Sequence, residues 1–350
     1  MSMKKNYLLT AGLILFSFLF ALMILELGVR LYIKLQAEKL GVNRIEHYAR
    51  SWPLLKGVEG KKYFYELRPS INKRLEGFDY LVNDKGLRDS KPVFTYDPKA
   101  YNILIIGCSQ TFGTGLDYEN TYGHKLEKKL NQFYGDQGLS FKVWNGGVPG
   151  YSLEQIVGAF EQKTSDLKPD LLILGFFIDT FVRPSWHFKA GILFEPQKGY
   201  LLQQFFSKSR LVSFVLFRLK NQQFNPYNYY SGYYGTVNKR WDYAMDKIKE
   251  LDSLCKDQEI KFMVADLPTL FWKGPLKKED WIEYPLNVKV EAMCSKESIP
   301  YTNALLPFEG YEAGPLWAIP GFDCHYGVKA AELVTESIFN KLIEMNFVNN

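Results

Sequence analysis

The sequence predicts an α/β domain, a parallel sheet with helices on both faces, attached to an N-terminal membrane helix. Three observations predict it. From residue 101 onward, short apolar runs alternate with segments of helical periodicity. The run at 101–106 ends in a glycine-containing turn, as a buried parallel strand does. An uncharged apolar segment stands at the N-terminus.

The N-terminal segment runs from Asn6 to Leu25 without a charged residue. Twenty helical residues span roughly 30 Å, which is the thickness of a bilayer core. The segment leads into Leu25–Arg30, which lacks the small-x-small pattern of a signal-peptidase site. We therefore expect an uncleaved anchor, residues 1–33.

The charges beside this anchor do not settle its orientation. Lys4 and Lys5 precede the span, whereas four basic residues follow it: Arg30, Lys34, Lys39 and Arg44. Long domains translocate largely regardless of such charges. We expect the domain after the anchor to be extracytoplasmic.

Residues 34–95 form a predicted juxtamembrane region, which contains the turn-like patch Val82–Arg88. A surface turn is the simplest interpretation of that patch. A hydrolase-like domain occupies 96–350, with an aromatic-rich insertion at about 183–240 that includes an apolar helix, Ser209–Asn221. The predicted strands are 101–106, Phe141–Trp144, 169–175 and Ile260–Asp266. The predicted helices are Tyr122–Phe133, Leu153–Thr164, Trp241–Lys256 and Gly327–Glu344.

Composition excludes several classes of function. The chain has 350 residues and a formal charge of +5, with no dense Lys/Arg block, so we expect no nucleic-acid partner. The four cysteines form no CxxC pair and the four histidines have no ligand spacing, so we expect neither a zinc site nor another cofactor. Cys255 and Cys294 could form a disulfide outside the cytoplasm or remain buried thiols.

Ser109 is the candidate nucleophile, because it follows the 101–106 strand within Gly107–Gly113. Ligands bind at this end of parallel strands. A serine hydroxyl needs a base, usually a histidine oriented by a carboxylate. Asp323 and His325 supply both, two residues apart, just before the predicted closing helix. Asp-x-His alone is a weak signal.

A glycine-rich segment, Trp144–Tyr151, follows the second strand. Its backbone N–H groups could stabilise an oxyanion, or its glycines could simply make a tight connection. In chain order, Gly-x-Ser, Asn-x-Gly-x-x-Gly, Pro-Asp-x-x-x-x-Gly and Asp-x-His each follow a predicted element.

Together, these motifs resemble the SGNH/GDSL hydrolase family in its membrane-anchored bacterial form, over residues 80–345. Asn83-x-x-Gly86-x-Arg88 is also similar to this subgroup. The resemblance implies a flavodoxin-like α/β/α fold. It implies Ser109 as nucleophile, His325 as base, Asp323 as its orienter, and the Ser109 and Gly147 N–H groups as oxyanion donors.

The sequence departs from the family pattern twice. Cys108 replaces the aspartate that usually precedes the serine, and a rival scheme would make Cys108 the nucleophile. Asp179 stands where the family supplies an asparagine amide to the oxyanion hole. An ionised carboxylate has no proton to donate there. Asp179 is therefore either protonated, replaced by another donor, or a cause of low activity.

The resemblance implies a serine esterase or O-acyltransferase that acts on acylated carbohydrate or lipid of the cell envelope. It implies tethering in the bacterial cytoplasmic membrane. The alternative is a catalytically weak or inactive envelope protein that partners a multi-spanning membrane O-acyltransferase in polysaccharide acylation. Asp179 is the feature that favours this alternative.

Overall fold

The structure is a computed structural model. It describes residues 2–40, 53–75, 77–183, 185, 187–189, 192–194, 209, 211–212, 215, 226–270, 275–278, 283–319 and 323–348. Some side chains inside helices and strands are not described, among them Asp323 and residues 226–240.

The helices and strands are numbered in chain order. The helices are α1 (Ser2–Leu40), α2 (Ser109–Phe112), α3 (Tyr122–Tyr134), α4 (Leu153–Ala159), α5 (Asp179–Val182), α6 (Pro226–Lys256), α7 (Tyr284–Lys296) and α8 (Val328–Glu344). The strands are β1 (Leu55–Gly57), β2 (Tyr65–Leu67), β3 (Ile71–Leu75), β4 (Phe78–Val82), β5 (Tyr101–Gly107), β6 (Phe141–Gly147), β7 (Leu171–Phe177), β8 (His187–Lys189), β9 (Ile192–Phe194), β10 (Lys261–Leu267), β11 (Tyr301–Asn303), β12 (Trp317–Ile319) and β13 (Asp323–Tyr326).

Helix α1 contains one segment that is long and apolar enough to cross a membrane. This segment, Thr10–Tyr32, has 23 residues and a mean hydropathy of 2.4, and none of its most apolar window is buried. It extends further toward the C-terminus than the predicted span, and it includes an ion pair between Glu26 and Arg30 at 2.8 Å. Length and composition of this kind fit both a membrane span and a signal sequence.

The chain divides into two compact units. One comprises residues 1–52 and 190–225, and the other comprises residues 53–189 and 226–350. In the first unit, the Glu26 carboxylate accepts hydrogen bonds from Ser209 Oγ at 2.9 Å and Leu211 N at 2.7 Å. The predicted helix Ser209–Asn221 falls mostly outside the described residues, although residues 211, 212 and 215 are helical.

The second unit is built on five parallel strands in the order β11-β10-β7-β5-β6. Read from β6, and with these five strands numbered by their order along the chain, the arrangement is 2-1-3-4-5, which is flavodoxin-like. The predicted fold class is therefore confirmed. In such a sheet the order reverses between its first and third strands, here β5 and β7, and ligands bind beyond the carboxyl ends of those strands.

Helices cover both faces of the sheet. On one face, α3 and α8 bury residues at helical spacing against Ile103 and Ile105 of β5, and these residues are Leu126, Leu130, Val334, Ile338 and Leu342. On the other face, α4 contacts β5 and α6 contacts β10. All seven residues of β7 are buried, as both-faced coverage requires. The result is a three-layer α/β/α unit.

Several details differ from the sequence prediction. Helix α4 ends at Ala159 and continues as a π-helical turn, Phe160–Thr164. Helix α6 begins at Pro226 rather than at Trp241, so the predicted insertion ends inside a helix. The pattern did not predict α7, β11, or the hairpins β3–β4 and β12–β13.

The cysteines form no disulfide. All four are free, and Cys255 and Cys294 are buried. Burial raises the pKa of each of these two thiols to about 12. Of the two interpretations left open by the sequence, the structure shows buried thiols.

Candidate active site

Ser109 lies where the carboxyl end of β5 turns into α2. Cys108 is the N-cap of this helix and Ser109 is its first residue, with 9 % of its surface exposed. The edge between β5 and β7 is the reversal point of the sheet. The predicted nucleophile therefore stands where this topology binds ligands.

Three glycines make room for α2 at that edge. Gly107 pairs in register with both Gly147 and Gly175 on the neighbouring strands. A Cβ atom would lie 2.1 Å from Thr111 Oγ1 at Gly107, 2.3 Å from Phe112 N at Gly147, and 2.5 Å from Thr111 Oγ1 at Gly175. Glycine stands at the ends of β5 and β6, and two residues before the end of β7, because the helix that carries Ser109 lies directly against these strands.

The predicted base meets the predicted nucleophile across the unit. His325 Nε2 lies 2.9 Å from Ser109 Oγ, and His325 is half-buried. A neutral His325 with its proton on Nδ1 would accept the Ser109 hydroxyl hydrogen at Nε2. Asp323 begins the same strand, β13, but its side chain lies outside the described residues.

Gln110, which the motif analysis left without a role, holds β13 beside α2. Gln110 Oε1 accepts a hydrogen bond from Tyr326 N at 3.1 Å, which links the residues that follow Ser109 and His325. Gly327, which follows β13, allows the chain to pass close to β12, since a Cβ there would lie 2.8 Å from Trp317 O. The signal for Gln110 was its place beside the candidate serine. Its partner, 216 residues away, could not be inferred from the sequence.

The structure gives Gly147 a different role from the predicted one. Its N–H donates to Asn145 Oδ1 at 3.0 Å, while Asn145 Nδ2 donates to Thr111 O at 2.8 Å. The Gly147 N–H is thus engaged in holding α2 and is not presented to an oxyanion. Gly150, the last glycine of the same motif, has a left-handed φ of 82°, and its N–H donates to no group among the described residues.

Asp179 forms an ion pair with Arg183, one helical turn further along α5. The side chains are only 13 % and 15 % exposed. Burial works against the charge of Arg183, but the Asp179 carboxylate outweighs it and raises the pKa of Arg183 above its ordinary value. A carboxylate held by a guanidinium is a hydrogen-bond acceptor only, so Asp179 does not replace the expected asparagine as a donor.

Cys108 is a poor candidate for the nucleophile. Its side chain is fully buried within the apolar core. Burial raises the pKa of the Cys108 thiol, and the nearby Arg183 charge offsets this only in part. Since the thiolate is the reactive form, the structure favours Ser109 over Cys108.

Comparison with known proteins gives matches among solved structures only. No family model matches the chain, and no curated protein matches it. Of the solved structures, 47 chains match.

Three of these structures show the range of the similarity. A catalytic mutant of an acetylxylan esterase from Geobacillus stearothermophilus is 12% identical with a TM-score of 0.45, covering 71% of this chain and 96% of that one. A GDSL-like lipase from Bacteroides thetaiotaomicron is 15% identical with a TM-score of 0.37, covering 72% and 93%. A two-domain esterase active on acetylated mannans is 11% identical with a TM-score of 0.43, covering 70% and 49%. At these TM-scores, the fold assignment rests on the strand order and register of this chain.

Proposed function

We propose that this chain is a membrane-tethered serine esterase or O-acyltransferase that acts on acylated carbohydrate or lipid of the cell envelope. The observation that carries the proposal is the 2.9 Å approach of Ser109 Oγ to His325 Nε2 at the reversal point of the sheet. A serine with an adjacent base at a ligand-binding edge is arranged for nucleophilic acyl transfer.

The proposed reaction has two halves. Ser109 Oγ attacks the ester carbonyl carbon while His325 Nε2 takes the hydroxyl proton, and His325⁺ then protonates the departing alcohol. Water, in hydrolysis, or a sugar hydroxyl, in transfer, next attacks the acyl-serine while His325 takes its proton. Asp323 orients His325 in this scheme. Ser109 returns to its hydroxyl form at the end.

The tetrahedral intermediates need donors for their oxyanion. In our proposal the first donor is the Ser109 N–H, at the start of α2. The second comes from the loop after β6, where the Gly150 N–H takes the place predicted for Gly147. Arg183 neutralises Asp179, so the carboxylate adds little repulsion to a nearby oxyanion. Loss of one donor typically costs about a hundredfold or more in rate.

The proposed location is the cytoplasmic membrane of a bacterium, with α1 as a single span and the catalytic unit outside the cytoplasm. The apolar span Thr10–Tyr32 supports this. An enzyme held there would remain beside the envelope polysaccharide or lipid on which it acts.

The second candidate is an envelope protein of weak or no activity that partners a multi-spanning membrane O-acyltransferase. The Asp179–Arg183 pair favours it, because the end of β7 supplies a carboxylate where an efficient oxyanion hole would have an amide.

The full chain in detergent micelles, assayed on p-nitrophenyl acetate, tests the proposal. We expect Ser109→Ala to lower kcat/KM by about a thousandfold or more, since the triad acts as a unit. The adjacent control Cys108→Ala should stay within about threefold of wild type, because the thiol takes no part in the scheme.

Equal, slow hydrolysis by wild type and Ser109→Ala would rule out a simple esterase. Acylation of the envelope in a strain carrying Ser109→Ala then separates the remaining candidates. Its loss supports acyl transfer through Ser109, and its persistence supports the non-catalytic partner.

A further inference from the structure

The segment Asn83–Arg88 forms a turn, as its sequence suggests, but both ends of the turn are buried. Asn83 is fully buried and Arg88 is 1 % exposed. Asn83 Oδ1 accepts hydrogen bonds from the N–H groups of Lys85 and Leu87, each at 3.0 Å, and Gly86 has a left-handed φ of 73°. Asn83 and Gly86 thus build a tight turn that delivers Arg88 to the interior.

Arg88 joins this turn to the sheet edge. Its backbone N–H donates to Asn145 O at 3.1 Å in β6. The other side of Asn145 faces the helix of the candidate nucleophile, since Asn145 Nδ2 donates to Thr111 O at 2.8 Å. Arg88, Asn145 and α2 are therefore parts of one hydrogen-bond network.

The Arg88 guanidinium binds the C-terminal end of α2. Nη1 donates to Phe112 O at 2.9 Å and to Gly113 O at 2.6 Å, and Nη2 donates to Leu116 O. The guanidinium carbon also lies 4.5 Å and 4.7 Å from the ring centroids of Tyr80 and Phe112. Carbonyl groups at a helix end lack intrahelical partners, and a cation there is favourable.

A helix of four residues needs such support. Its single turn cannot hold itself in place, because helix nucleation fixes several residues for one hydrogen bond. Ser109 is the first residue of α2 and Phe112 is the last, so a shift of the C-terminal end moves the serine hydroxyl as well. The position of Ser109 relative to His325 therefore depends on what holds Phe112 and Gly113.

Among the described residues, Arg88 has no acidic partner that would otherwise explain its burial. No carboxylate among the described residues lies within salt-bridge distance of it. Burial lowers the pKa of Arg88 to about 10, so the side chain stays charged at neutral pH. Its charge is balanced by carbonyl dipoles and aromatic faces, most of them at the C-terminal end of α2 or just beyond it, with Asp79 O and the Tyr80 ring contributed by β4.

We propose that Arg88 is a positioning residue for Ser109: its guanidinium fixes α2 so that Ser109 Oγ stays in line with His325 Nε2. The inference rests on the proposed function of Ser109. A lysine would not substitute, because one ammonium group cannot span the carbonyl groups that two guanidinium nitrogens bind.

The test compares Arg88→Lys with Arg68→Lys in the full chain. Arg68 is the control: it is exposed, unlike Arg88, but its Nε also donates to a backbone carbonyl, Leu55 O at 2.7 Å, outside the α2 network. Active sites are titrated with a fluorophosphonate, which reacts covalently with an activated serine. Both kcat per titrated site and KM are then measured on p-nitrophenyl acetate.

For Arg88→Lys we expect kcat per titrated site and the labelling rate to fall about 10- to 100-fold, with KM within about twofold of wild type. An ångström-scale misplacement costs this much. Arg68→Lys should leave all three quantities within about twofold. A merely structural role would instead give fewer titratable sites with an unchanged kcat per site, and that result would overturn the proposal.

Should Arg88→Lys fail to fold, Tyr80→Leu provides the second variant. It removes a ring beneath the guanidinium, together with the hydroxyl that accepts from Gly115 N at 2.8 Å, and leaves every hydrogen-bond acceptor of Arg88 in place. A fall in kcat per site of about 3- to 10-fold at unchanged KM is expected, and no change in kcat per site overturns the proposal. A wild-type chain that neither reacts with the probe nor hydrolyses ester contradicts the proposed function itself, and the role of Arg88 with it.

Discussion

The carboxyl ends of β5 and β7 have the same local structure, a buried strand followed by a four-residue helix. Each helix is held by an arginine, but the two arginines bind different groups. At β5, Arg88 donates to backbone carbonyl groups at the end of α2. At β7, Arg183 pairs with the side chain of Asp179 at the start of α5.

The two arginines differ in what they control. Arg88 fixes the position of a helix and leaves its first residue, Ser109, free to bond His325. Arg183, which directly follows α5, forms an ion pair with Asp179, the first residue of that helix. Burial lowers the pKa of Arg88, whereas Asp179 more than offsets burial and raises the pKa of Arg183. At the end of β5, an arginine thus holds the helix of Ser109 through backbone carbonyl groups, and at the end of β7 an arginine holds the Asp179 side chain through an ion pair.

The largest effect is expected from breaking the ion pair at β7. Asp179→Asn removes the carboxylate that balances Arg183, and an uncompensated buried charge costs about 3–5 kcal/mol. Denaturant unfolding of the full chain in micelles measures the loss.

The double variant Asp179→Asn, Arg183→Met should recover most of that loss, because it removes the charge as well. The control is Asp79→Asn, which breaks an exposed pair with Arg74 and should cost about 1 kcal/mol or less. Equal, small losses for Asp179→Asn and Asp79→Asn would contradict the difference drawn between the strand ends.

A third strand end, at β10, sharpens the comparison, because its carboxyl groups have neutral partners. Asp266 accepts hydrogen bonds from Asn287 Nδ2 and Tyr301 OH, and Glu283 accepts from Thr269. Burial raises the pKa of Asp266 to about 7 and that of Glu283 to about 8, against those hydrogen bonds. Both groups are therefore neutral in the folded chain at mildly acidic pH.

The sign of the pH effect follows from these raised pKa values. The unfolded chain releases both protons near pH 4, so the contribution of the two groups to stability is full below pH 4 and is lost as pH rises to about 8. We expect the free energy of unfolding to fall across that range, measured by denaturant unfolding at each pH. The variant Asp266→Asn, Glu283→Gln should remove this part of the slope, and an unchanged slope would show that these groups are not protonated in the folded chain.

The smallest of the expected effects comes from substituting a glycine that packs against α2. Gly147→Ala places a Cβ 2.3 Å from Phe112 N, so the backbone of α2 must shift. Overpacking of this kind costs about 1–3 kcal/mol. Thermal unfolding checks it against Gly123→Ala in α3, where the nearest atom would be 3.6 Å away. Similar melting temperatures for the two variants would mean that α2 tolerates displacement.

The sequence was a good guide wherever a local pattern determines structure. Apolar β-branched runs predicted the buried strands of the sheet. Gly107 and Gly147 marked the ends of β5 and β6, whereas β7 continues two residues beyond Gly175. The sequence did not show that all three glycines make room for Thr111 and Phe112. The distance between Ser109 and His325 depends on chain closure over 216 residues, so only a resemblance could predict it.

Local patterns failed in two ways: they did not show which neighbouring groups bond to each other, and they left no signal for a partner that is distant in sequence. The Gly147 N–H was predicted to face an oxyanion, but it donates a hydrogen bond to Asn145 Oδ1. Asp179 was considered without its counterion, although Arg183 stands four residues away, at ion-pair spacing on a helix. Arg88 was assigned to a surface turn, because its carbonyl partners at 112, 113 and 116 leave no signal in the residue pattern.

The most direct test of the central claim is to map where a fluorophosphonate binds covalently in the full chain, using mass spectrometry of the digested protein. The account predicts one adduct, on Ser109, formed at least about a hundredfold more slowly in His325→Ala because the base is lost. An adduct on another residue, or equal labelling rates in wild type and His325→Ala, would contradict the assignment of Ser109 and His325 as nucleophile and base.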